Sequence, residues 1–93
     1  MLGGVYIMID KDSRPVEWAL LIAELDDARE HLEQLVSQMS ENGHFEEGTF
    51  RIDLGHVYAH LNRAWRSRSR TSEIPESEWE AYSQYPADLS PIG

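Results

Sequence analysis

The stretch Trp18–Met39, WALLIAELDDAREHLEQLVSQM, decides the fold of this chain. Within it Trp18, Leu21, Leu25, Ala28, Leu32, Leu35 and Met39 recur at alternating steps of three and four. That spacing puts them on one face of a helix about six turns long. The helix is expected to run from about Pro15 to Ser40. Proline suits a first helical turn, Glu17 favours the positive end of the dipole, and Asn42-Gly43 supplies a stop. Its two halves differ. Trp18–Ala23 is apolar all round and asks for cover on more than one side. Residues 24–39 are amphipathic, with Asp27, Glu30 and Gln34 projecting away from the stripe.

A second stripe, Leu54, Val57/Tyr58, Leu61 and Trp65, predicts a helix over about 54–68. Gly55 falls in its first turn and weakens it slightly. Before it, Thr49-Phe50-Arg51-Ile52 alternates apolar and polar side chains and reads as a short strand, with Asp53 as the cap of the second helix. Val5, Ile7 and Ile9 alternate likewise and predict a short N-terminal strand. Residues 66–74, small, polar and basic, read as a hinge or loop. Pro75 through Tyr85 predicts a third, short helix that ends before Pro86, with Trp79, Tyr82 and Tyr85 at three-residue steps. Residues 86–93, with two prolines, are expected to be an extended tail.

These readings converge on one small domain over 1–93, mainly α with a minor α+β character. Its centre is an antiparallel two-helix hairpin, flanked by the N-terminal strand and the C-terminal third helix. The hairpin is expected to bury Leu21, Leu25, Leu32, Leu35 and Met39 against Leu54, Val57, Leu61 and Trp65. Two helices make a thin core, so a homodimer is one way to cover the rest.

The formal net charge is −9 and unevenly spread. Residues 1–48 carry three basic and eleven acidic side chains, residues 49–72 five Arg against one Asp, and residues 73–93 five acids and no base. Such acidity disfavours nucleic acid and anionic membranes as partners and suits a basic protein. The longest apolar run, Trp18–Ala23, is six residues, far short of a membrane span. Met1–Ile9 has neither the positive charge nor the cleavage site of a signal peptide, so a cytoplasmic location is the default.

With no cysteine there is no thiol nucleophile, disulfide or thiolate metal site. No Gly-x-Ser-x-Gly elbow and no glycine-rich phosphate loop is present. The sharpest constellation is Asp53-x-x-His56-x-x-x-His60: two imidazoles one helical turn apart with a carboxylate, able to hold a divalent metal. Glu24, Asp27 and His31 form a similar group on the first helix. Burying the apolar stripes is expected to turn both groups outward and apart. Arg63, Arg66, Arg68 and Arg70 around Trp65 make one basic patch. Its expected role is charge balance against the acidic segments, with contact to a polyanion as the alternative.

The leading functional expectation is a non-catalytic interaction module that needs no cofactor. It would bind a protein partner, such as a basic one that it masks, through Glu24, Asp27, Glu30, Trp79 and Tyr82. The alternative is metal binding or a metal-dependent activity at Asp53, His56 and His60.

Overall fold

The computed structural model of the chain describes residues 8–68 and 74–93. Three helices follow one another: α1, Pro15–Glu41; α2, Glu47–Arg66; and α3, Trp79–Ser83, which continues from a 3-10 turn at Glu76–Glu78. The mainly α class holds, and among the described residues there is no strand. The expected N-terminal strand falls mostly on residues 1–7, outside those described; Met8 and Ile9 are irregular.

α1 begins where the sequence places it. The Asp10 carboxylate accepts hydrogen bonds from the Ser13 hydroxyl (2.6 Å) and from the Ser13 backbone N–H (3.2 Å), folding residues 10–13 into a turn. Those bonds favour the charged carboxylate and lower the Asp10 pKa below its ordinary 3.8. Pro15 then opens the helix and Glu17, buried in the first turn, pairs with Arg14 at 3.5 Å. α1 stops at Asn42, but without a left-handed residue. Asn42 is extended (φ −114°, ψ 132°), and both its backbone N–H and its side-chain amide donate to the Gln38 carbonyl. These bonds satisfy a carbonyl that the helix end would leave open.

α2 starts seven residues earlier than the sequence suggested, and 49–52 are helical rather than a strand. The reason is packing. Phe50 continues the three- and four-residue spacing of Asp53, Val57, His60 and Ala64, all buried or half-buried, whereas Ile52 is exposed. A strand here would have no described strand to pair with.

α1 and α2 form the expected hairpin: Glu24 meets His60 and Arg63, and His31 meets His56, so the two run antiparallel. The seam differs from the predicted one. Leu21, Ala28, Leu35, Val57 and Ala64 are buried, whereas Leu25, Leu32, Met39 and Leu61 stay 40–47% exposed. The wide stripe on α1 is split. Its Leu21/Ala28/Leu35 edge faces α2, and its Leu25/Leu32/Met39 edge, about 40–60° further round the helix, remains open. Among the described residues no large side chain is fully buried.

The C-terminal segment staples the far end of α2. Asn62 Nδ2 donates to the Ser83 carbonyl (2.9 Å), and Arg66 donates to the carbonyls of Gln84 and Tyr85 (2.8 and 2.7 Å). Trp65 Nε1–H donates to Asp88 (2.9 Å), so the expected tail is pinned at Asp88.

Candidate functional site

The hairpin presents two contrasting surfaces, and the helical repeat generates both. On α1 the side chains Leu21, Glu24, Ala28, His31 and Leu35 follow steps of three and four; on α2 Phe50, Asp53, Val57, His60 and Ala64 do the same. The inner seam therefore alternates apolar and polar layers. Glu24 is its electrostatic centre. One oxygen, Oε2, accepts from Arg63 Nε at 2.8 Å, and the other, Oε1, lies 2.7 Å from His60 Nδ1, a nitrogen that is also 3.0 Å from Arg63 Nη2. The three side chains are 13%, 6% and 14% exposed. Arg63 also donates to Ser83 Oγ (2.7 Å) and lies 4.1 Å from the centroid of the Trp79 ring.

Three of the four imidazoles of the hairpin meet beside this seam. The His31 ring stacks on His60, with centroids 5.1 Å apart and planes 24° apart, and lies 5.4 Å from His56. The outward turn expected for these groups is therefore overturned for Glu24, His31 and His60. The polar edge of each helix adjoins the seam, because the hairpin buries only one edge of each apolar stripe.

Asp27 joins this group from the solvent side. The ligand atoms of Glu24, Asp27 and His60 lie within 4.8 Å of one another, the His/Asp/Glu set that converges among the described residues. A cavity of about 410 Å³ opens beside them, walled by Leu20, Ala23, Ile74 and Trp79. This differs from the Asp53/His56/His60 set read within α2. Of those residues only His60 joins the convergent set; His56 leans on His31, and Asp53 is half-buried further along the seam. The equal spacing of Glu24/His31 on α1 and Asp53/His60 on α2, each pair flanking a buried Ala28 or Val57, was the sequence signal that these polar residues line the seam, although it does not mark Asp27.

The arginine patch is occupied internally. Arg63 serves Glu24, Arg66 holds the tail carbonyls, and Arg68 donates to the Trp65 carbonyl and stacks over the Trp65 ring at 3.8 Å. Arg70 lies outside the described residues. Of the expected partner-binding residues, Asp27, Glu30 and Trp79 are exposed, Tyr82 is half-buried, and Glu24 is turned inward.

The second surface was not expected. Ile22, Leu25, Leu32, Val36 and Met39 on α1 and Leu61 on α2 are 40–57% exposed on one side of the hairpin. Of these, Ile22, Leu25 and Leu61 line an almost wholly apolar groove of about 470 Å³ together with Trp18, Ile9 and Leu89. On α1 this stripe, Trp18, Ile22, Leu25, Arg29, Leu32, Val36 and Met39, steps by four and three without a break. Arg29 sits at its middle, tied to Asp26 (2.8 Å) and Glu33 (3.3 Å) of its own helix, and those carboxylates raise its pKa further. Asp27 and Glu30 lie on the opposite side of α1.

No protein-family model matches this chain, and neither a curated protein nor a solved structure shows significant similarity to it. Among the described residues no helix is long and apolar enough to cross a membrane.

Proposed function

We propose that the chain is a small, acidic, non-catalytic interaction module of the cytoplasm whose contact surface is the open apolar face of the hairpin. The observation that carries this reading is the heptad-type stripe left exposed on α1, apolar except for Arg29, beside an apolar groove. Helical faces of this period bury against other helices, and contiguous exposed apolar patches of this size mark contact sites. The inner seam supports the same reading: its charges are paired with each other, which fits a scaffold more than a reaction centre. The outward carboxylates Asp27 and Glu30 offer a separate surface for a basic partner.

Site-specific photo-crosslinking tests the reading. A photoreactive residue at position 32 is expected to capture a partner in native extract, and capture should fall on Leu25→Asp but not on charge reversal of Asp27 and Glu30. Capture only from position 30, abolished by salt, would move the contact to the acidic face and defeat the proposal.

A second reading is favoured by the convergence of Glu24, Asp27 and His60: a divalent metal held at the mouth of the cavity. Titration with zinc, manganese or nickel should then show one ion per chain, lost in His60→Ala. Absence of binding heat in the unsubstituted chain removes this reading.

A further inference from the structure

We infer that the occupant of the open face is a second copy of this chain, so that two hairpins close into a four-helix bundle. The inference rests on the interaction reading above and names its partner.

Three observations lead to it. The first is the thinness of the core among the described residues, which is limited to Leu21, Ala28, Leu35, Val57 and Ala64. No large side chain is fully buried among the described residues, and the two-helix seam devotes alternate layers to Glu24, His31, Asp53 and His60. A chain this small, without disulfides, has little else to stabilise it, so whatever seals the open face belongs to the folded state. A second copy is an occupant available wherever the chain is.

The second is self-complementarity. A stripe that steps by four and three packs its knobs into the holes of a like stripe, and the α2 positions Leu54, Tyr58, Leu61 and Trp65 repeat the spacing. A two-fold pairing uses the same patch on both copies, which this surface satisfies. Arg29, within the stripe, is already paired with Asp26 and Glu33 of the same helix, so no unpaired charge enters the contact.

The third is area. Ile22, Leu25, Leu32, Val36, Met39 and Leu61 leave on the order of 500 Å² accessible per copy, so that pairing would bury about 1,000 Å² in total, the least a specific interface needs.

Sedimentation equilibrium on the full chain at about 100 μM should give twice the 10.7 kDa chain mass, with dissociation on dilution. Leu32→Asp should weaken pairing by about thirtyfold or more, and Gln34→Asp, on the far side of α1, should leave it unchanged. Pairing and folding are coupled, so Leu32→Asp can unfold the chain. The unsubstituted protein then decides: isotope-filtered NOEs between labelled and unlabelled copies should join the methyls of Leu25, Leu32 or Val36 across the interface. A monomeric mass at that concentration overturns the inference, as does a dimer lacking those cross-copy contacts. A monomer that is still captured by another protein through position 32 would sink the self-pairing and leave the interaction reading intact; a monomer captured by nothing would sink both.

Discussion

Glu24 ties the hairpin together, because its two carboxylate oxygens are shared between Arg63 and His60 from the other helix. A charge pair this little exposed repays its desolvation only through good geometry, and removing one member strands the other. Glu24→Ala is therefore expected to cost about 3 kcal/mol, since Arg63 stays buried with no carboxylate to balance it, left with Ser83, the His60 ring nitrogen and the Trp79 ring. Urea denaturation measures it, and the double variant Glu24→Leu/Arg63→Leu should recover much of the loss. A cost for Glu24→Ala below about 0.5 kcal/mol would mean that the pair is solvated in solution. Asp88 supports a pH prediction. The Trp65 N–H holds its carboxyl below the ordinary 3.8, with Arg68 and Arg66 adding to the effect. A carboxyl depressed on folding stabilises the docked tail above the unfolded value and loses that contribution as pH falls through the folded one. Trp65 fluorescence should thus change as the tail undocks below about pH 4, and Asp88→Asn should abolish that transition. At this scale the sequence showed which residue types were present but not their pairing. Asp27, His31, His56 and His60 stood out by spacing, yet the link from Glu24 to His60 spans two helices and depends on which edge of each stripe is buried.

The helices themselves were readable because they obey local rules. Pro15 and Glu17 open α1 where expected, and Asn42 closes it, although through its side-chain amide rather than a left-handed turn. The start of α2 was not readable, because Phe50 and Ile52 fit a strand's alternation as well as a helix's. What decides is the burial of Phe50 in line with Val57, a tertiary fact. The width of the α1 stripe was equally ambiguous. Seven apolar positions at steps of three and four cover more of the helix than one partner can bury, so Leu21 and Leu35 went inside while Leu25 and Leu32 did not. The corrected α2 boundary makes a prediction. Gly55 now lies well inside the helix, and a Cβ there would meet nothing within 4 Å. Gly55→Ala should therefore stabilise the protein by about 0.5–1 kcal/mol, seen as a raised thermal midpoint. No gain would indicate that α2 begins near Leu54 in solution.

Taken whole, the molecule is long and open, with a radius of gyration of 16.0 Å and extents of 54 × 27 × 26 Å. A compact chain of this length would have a radius of about 12 Å. Elongation leaves the apolar side of α1 uncovered while a formal charge of −9 surrounds it. Those two properties respond to salt in opposite ways. Contact of Asp27 and Glu30 with a basic partner gains from attraction that salt screens, so it should weaken as ionic strength rises. Sealing the open face brings two like-charged molecules together, and the summed repulsion acts over about 30 Å at 0.01 M salt but only about 8 Å at 0.15 M. The apolar burial itself is not reduced by salt. Self-association should therefore tighten several-fold between about 0.01 and 0.3 M sodium chloride, measured by sedimentation. The sign of this slope separates the surfaces without any substitution: a pairing that loosens with salt would be held by the charged side of α1, and the exposed Leu25, Leu32 and Val36 would then need another explanation.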